Sequence, residues 1–91
     1  MENPQTPARI LVVDDEPDIR NILHILLSSR GYAVDEAENG LRAVACVRAQ
    51  PDYDLIIMDI MMPGMDGITA MAKLREFSNI PVILLTAKSE D

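Results

Sequence analysis

Apolar and polar positions along the chain follow two different periods. Uninterrupted apolar runs occur at Ile10 to Val13, Leu55 to Met58 and Pro81 to Leu85. Runs of that length with no polar face are the pattern of strands buried on both sides of a parallel sheet covered by helices. A more polar stretch from Tyr32 to Glu38 sets Tyr32, Val34 and Glu36 in alternation and predicts a strand at the sheet edge. Between these runs the period lengthens. Ile19, Ile22, Leu23, Leu26 and Leu27 recur at i, i+3, i+4, i+7 and i+8. They form one stripe of a helix that begins at Pro17, where a missing N–H costs nothing, and ends at Arg30-Gly31. Leu41, Val44, Ala45 and Val47 to Ala49 predict a second helix after Asn39-Gly40, broken at Gln50-Pro51-Asp52 because proline disfavours helix in the residue before it. Pro63, Gly64 and Gly67 punctuate a loop, after which Ile68, Met71, Ala72 and Arg75 line a third helical face.

The order is therefore βαβαβαβ, which predicts an α/β layered fold with right-handed crossovers. Residues 1–8, with Pro4 and Pro7 among polar neighbours, read as a disordered leader, and residues 9–91 as one domain without repeat or linker. Each apolar run stops at an oxygen-bearing residue: the pair Asp14-Asp15, then Asp59, then Thr86. In a parallel sheet those side chains gather at one rim, the side on which ligands of open α/β sheets bind. Such a rim suits a hard cation and a phosphoryl group, with Asp59 as the candidate acceptor carboxylate.

Composition narrows the choice. The 91 residues are 48% hydrophobic and 25% charged, an ordinary globular balance that allows one modest core. A formal net charge of -7 with eight scattered basic residues argues against direct nucleic-acid binding, since phosphate backbones are held by clustered Lys and Arg. No apolar run approaches the roughly 20 residues of a membrane helix, and MENPQTPAR lacks the order of a secretory signal, so a cytoplasmic location is expected. Cys46 is the single cysteine and reads as a small apolar filler on a helix. His24 lies between stripe positions and is expected to face solvent without a role. Met58, Met61, Met62, Met65 and Met71 read as packing. Glu16 and Asp18 favour the positive end of the first helix.

Taken together, ILVVDDEPDIR, LIIMDIMMPGMDGI and PVILLTAK resemble the receiver domain of bacterial two-component response regulators, from about Arg9 to the end of the chain. The resemblance implies a flavodoxin-like, doubly wound parallel sheet of strand order 2-1-3-4, an order that receivers themselves commonly illustrate. The winding then reverses between strands one and three, which carry Asp14-Asp15 and Asp59. Residue by residue, the resemblance makes Asp59 the carboxylate phosphorylated by a partner histidine kinase. Asp14, Asp15, Asp59 and the backbone carbonyl of Met61 would hold Mg²⁺. Thr86 and the backbone N–H of Ala87 would contact the acyl phosphate, and Pro63 and Gly67 would shape the turn into the third helix. A carboxylate is a competent nucleophile toward phosphorus, but Asp59 beside two other aspartates faces like-charge repulsion that a divalent cation relieves. Mg²⁺ prefers oxygen ligands and commonly bridges to phosphate. The expected activity is self-phosphorylation that switches the interactions of an effector, with no turnover substrate.

A complete receiver continues through a fourth helix, a fifth strand and a fifth helix, about 30 further residues by the size of such a unit. This sequence stops at Asp91, ahead of the strand that carries the family's phosphate-contacting lysine and switch aromatic; Lys88 reads as a loop charge and not as that lysine. The fourth strand would then be an exposed apolar edge, inviting a homodimer, a strand exchange or a poorly stable monomer, and phosphorylation would be weaker and poorly coupled to conformation. Two other functions remain beside this one. An aspartate-nucleophile phosphohydrolase would place a second acid two residues after the nucleophile, where Met61 stands, which disfavours it. A phosphorylation-independent interaction domain follows from the absent lysine. Singly, Asp15 reads as a cap for the first helix and Thr86 as a strand-end hydroxyl satisfying backbone; their convergence with Asp59 overrides both. The LLTAK segment is similar to receivers joined to winged-helix DNA-binding domains, an analogy only.

Overall fold

The computed structural model describes residues 6–86. The β-branched apolar runs form β1 (Arg9–Val13), β2 (Ala33–Ala37), β3 (Leu55–Asp59) and β4 (Val82–Leu85), and the helical-period segments form α1 (Pro17–Ser29), α2 (Gly40–Ala49) and α3 (Gly67–Arg75). The strands make one parallel sheet in the order β2-β1-β3-β4. The register sets Leu11 between Asp35 of β2 and Ile56 of β3. The crossover through α1 runs one way across the sheet and those through α2 and α3 run the other. Right-handed connections therefore put α1 on one face and α2 and α3 on the opposite one.

Alternation along each strand divides the core between these faces. Leu11, Val13, Ile56 and Met58 meet Ala43 and Val47 of α2 and Ala70 and Leu74 of α3 in a fully buried cluster. Truncating Leu11 or Ile56 to Ala there would cost about 2–5 kcal/mol. On the α1 face Ile10 and Val12 are buried, whereas Ile57 and Leu85 are only half-buried and Ile83 is 49% exposed. No residue of α1 is fully buried, and Ile19, Ile22 and Leu26 of its apolar stripe are exposed, because α1 packs on β1 and β2 with no second helix beside it among the described residues.

Of the apolar residues expected in the two shorter helices, Val47 is buried and Val44 and Met71 pack against the core, but Leu41 and Ile68 turn outward. α2 buries Gly40, Ala43 and Val47 while Leu41 is 66% exposed, and α3 buries Gly67, Ala70 and Leu74 while Ile68 is 56% exposed. Close packing of α2 on α3 selects for small side chains, not for the most apolar ones. A β-carbon on Gly40 would come within 2.9 Å of the Met65 carbonyl oxygen and 3.0 Å of Ala70 Cβ. β2 is also shorter than expected, with Tyr32 left outside it. Of the expected leader, residues 1–5 lie outside the described residues, as do Ala87 and Lys88, while the Ala8 carbonyl is tied to the sheet by accepting the Ala33 N–H at 2.9 Å.

Candidate metal and phosphoryl site

Asp14 follows directly on β1, and its backbone N–H still donates to the Ala37 carbonyl of β2 at 3.2 Å. The chain then turns toward α1, and the turn is held by Asp14 itself: Oδ1 accepts the Glu16 N–H at 2.9 Å. Asp14 is 5% exposed, the one buried charged residue among the described residues. Asp59 is the last residue of β3, and its Oδ1 accepts the Met61 N–H at 3.2 Å. Val13 and Met58 are in register, so the residues after them, Asp14 and Asp59, leave the sheet side by side. One carboxylate oxygen from each of Asp14, Asp15 and Asp59 lies within 4.8 Å of the others.

Three carboxylates at that separation repel by about 3 kcal/mol per ionised pair at an effective dielectric of 20. Burial pushes the Asp14 carboxyl above its usual range; the Glu16 N–H opposes this, the charges of Asp59 and Asp15 add to it, and Arg20 opposes it. Three carboxylate oxygens at one rim are the donor set of a hard divalent cation and not of a softer one.

The structure brings three of the expected site residues into direct proximity and a fourth to the same rim. Leu85 is in register with Asp59 and its carbonyl accepts the Ile60 N–H at 3.0 Å, so Thr86 stands one residue beyond, exposed at the carboxyl end of the sheet. Met61 is 65% exposed. Behind Asp59, the Gly67 N–H donates to the Ile60 carbonyl at 2.9 Å, and Asp66 caps α3 by accepting the Thr69 N–H at 2.7 Å. That bond holds the Asp66 carboxyl below its usual range. Asp15 does not cap α1: the capping position belongs to Glu16, whose side chain makes no capping bond.

The supports of Asp14 lie outside the expected site residues. Arg20 NH1 donates to the Asp14 carbonyl at 2.7 Å and Arg20 Nε to Glu36 Oε1 at 3.1 Å. His24, expected to face solvent without a role, is half-buried, with Nδ1 2.7 Å from Glu36 Oε2. Spacing carried part of the signal: Arg20 and His24 are i, i+4 on α1, and alternation puts Glu36 on the same face of β2 as Val34.

An open parallel sheet with three aspartates gathered at its winding reversal is a doubly wound α/β domain whose acidic cluster lies at the switch point. Comparison with known proteins makes the class specific. The family described as "Response regulator receiver domain" matches residues 10–91, and the chain belongs to that family, the phosphoacceptor modules of two-component signalling. It is 51% identical over 84 residues to the transcriptional regulatory protein ResD of Bacillus subtilis, covering 92% of this chain and 35% of the relative. It is 43% identical over 82 residues to the transcriptional regulatory protein SrrA of Staphylococcus aureus, covering 90% and 34%. The chain thus spans about a third of the length of these relatives. Among solved structures it is similar to the response regulator TrrA of Thermotoga maritima in complex with Mg(2+)-BeF, at 45% identity and a TM-score of 0.81, covering 90% of this chain and 71% of that one. It is also similar to the chemotaxis protein CheY4 of Vibrio cholerae, at 31% identity and a TM-score of 0.79, covering 93% and 72%. Among the described residues no helix is long and apolar enough to cross a membrane.

Proposed function

We propose that this chain accepts a phosphoryl group on Asp59 from a histidine kinase, in a reaction that depends on Mg²⁺ held by Asp14, Asp15, Asp59 and the Met61 carbonyl. The observation that carries the reading is the meeting of three carboxylate oxygens within 4.8 Å at the ends of β1 and β3. An Asp59 carboxylate oxygen attacks phosphorus, the bond from phosphorus to the donor imidazole breaks, and the imidazole leaves with the electron pair. Bound Mg²⁺ supplies charge neutralisation for the acidic cluster and the phosphoryl oxygens. The Met61 N–H orients the nucleophile, the Glu16 N–H orients Asp14, and Thr86, with the Ala87 N–H, contacts the acyl phosphate once formed. Positioning and charge stabilisation are what phosphoryl transfer asks of a protein.

The similarity to a receiver described in complex with Mg(2+)-BeF supports the choice of cation. Met61 at the position where a phosphohydrolase would carry its second acid supports an acceptor over a turnover enzyme. The relatives named as transcriptional regulators support an output in gene control through a further domain of the whole protein. The test is phosphotransfer from acetyl phosphate with Mg²⁺, read by intact mass, comparing the native chain with Asp59→Asn. A single phosphoryl adduct on the native chain that is absent from the variant is expected. An adduct that persists in Asp59→Asn overturns the assignment.

A further inference from the structure

We propose that Arg20 is a positioning residue for the magnesium site, its guanidinium fixing the backbone from which the Asp14 carboxylate reaches the cation. The inference rests on the reading of the acidic rim as a Mg²⁺ site. Arg20 lies in the first turn of α1 and its side chain is 19% exposed. Its NH1 donates to the Asp14 carbonyl at 2.7 Å while Nε donates to Glu36 of β2 at 3.1 Å. One planar group therefore ties together the turn after β1, the edge strand β2 and the helix that carries it. Counting the Asp14 N–H on Ala37 and the Asp14 Oδ1 on Glu16, the N–H, the carbonyl and one carboxylate oxygen of this residue each have a partner. The Arg20 bond is the only one of these three made by a distant side chain.

The role is geometric before it is electrostatic. The Arg20 charge is balanced by Glu36, whose second oxygen is engaged by His24 at 2.7 Å, so the guanidinium is oriented by an anion on its far side. A free cation beside the rim would repel Mg²⁺, whereas a cation anchored to Glu36 and gripping a carbonyl aims a ligand. The two accounts predict opposite signs. If Arg20 acts only through charge, neutralising it makes the rim more negative and Mg²⁺ binds more tightly. If it positions Asp14, neutralising it weakens Mg²⁺ binding, by about 10-fold as for outer partners of metal ligands.

The experiment is calorimetric titration of Mg²⁺ into the native protein, Arg20→Gln, Arg20→Lys, Glu36→Gln and the double variant Arg20→Gln/Glu36→Gln, each first checked for folding by circular dichroism. The expected results are a Kd raised about 10-fold in Arg20→Gln, a smaller rise in Arg20→Lys, which keeps the charge but not the fork, and a rise in Glu36→Gln. The double variant should be no weaker than Arg20→Gln alone, because both substitutions break one linkage. A Kd that is unchanged or lower in Arg20→Gln overturns the proposal, even if the melting temperature falls. Should Arg20→Gln fail to fold, Glu36→Gln decides: it keeps Arg20 while releasing its anchor, and unchanged affinity there overturns the proposal. Native protein with no Asp59-dependent Mg²⁺ binding removes the site reading and this inference together. Native binding that Arg20 variants leave intact removes the inference alone.

Discussion

The carbonyl oxygen of Asp59 and the Cα of Gly67 are packed so closely that a β-carbon on residue 67 has no room, pressing on Asp59 O and lying 2.9 Å from the Cα of Ile60. Both obstacles are backbone, which cannot swing aside as a side-chain tip does. Gly67→Ala should therefore push α3 away from the end of β3, costing about 1–3 kcal/mol as overpacking does. At about 4–8 °C per kcal/mol for a domain of this size, the loss is readable in a thermal melt. Phosphoryl acceptance at Asp59 should fall with it. A variant that melts with the native protein would show that the joint is slack.

The buried Asp14 carboxyl makes stability depend on pH in a direction set by its shift. Its folded value is raised above the ordinary 3.8, so the fold holds that proton more tightly than the unfolded chain does. The contribution to stability is complete below 3.8 and is lost as pH rises through the folded value. In neutral, metal-free solution the ionised carboxylate is therefore a burden. Asp14→Asn, whose amide oxygen still accepts the Glu16 N–H, should melt higher than the native chain at about pH 7 in a chelator, with the advantage shrinking toward about pH 4. Saturating Mg²⁺ should narrow the gap, because only the aspartate binds the cation well. A lower melting temperature for Asp14→Asn at neutral pH would contradict this account of the rim.

At the opposite end of the sheet the Tyr53 hydroxyl donates to Asp35 Oδ2 at 2.6 Å, and Arg9 NH2 donates to the same oxygen at 3.0 Å. Burial, the bond to Asp35 and the charge of Asp35 push the Tyr53 phenol well above its ordinary 10.0. Tyr53→Phe keeps the ring in the core and removes one bond to a carboxylate that retains Arg9, so it should cost about 1 kcal/mol. The same shift requires a stabilising term present below pH 10.0 and lost as pH rises through the folded value. Urea denaturation of the two proteins at neutral pH measures the first effect. A difference of zero would mean that water replaces the bond without loss.

How far the sequence was legible follows from the range of each interaction. Strands and helix limits follow from periods and breakers local to a few residues, and α1 runs from Pro17 to Ser29 as its pattern requires. The convergence of Asp14, Asp15 and Asp59 was legible as well, since strand ends of one parallel sheet share a rim. The faces of α2 and α3 were legible only in part, at Val44, Val47 and Met71. Apolar patterning favours Leu41 and Ile68, but contact between the two helices buries Gly40, Ala43, Gly67 and Ala70, residues chosen for their smallness. The Arg20, Glu36 and His24 linkage was also hidden as a set, because it depends on how α1 lies across β2, which neither element's own periodicity specifies.

The outer side of β4 carries the last prediction. Among the described residues β4 pairs with β3 alone, and Ile83, on the face shared with α1, is half exposed. Open backbone groups beside an apolar side chain are a template for a further strand. The 91-residue chain should therefore associate with itself through β4, as a dimer by edge pairing or strand exchange, and sedimentation velocity should show a species that grows with concentration. Ile83→Lys sets a charge on that surface without touching the buried α2 and α3 side of the strand, where Val82 and Leu84 pack. It should shift the distribution to monomer while leaving the circular dichroism spectrum unchanged. A native chain that sediments as one well-folded monomer across the concentration range would mean that the edge is covered from within the chain.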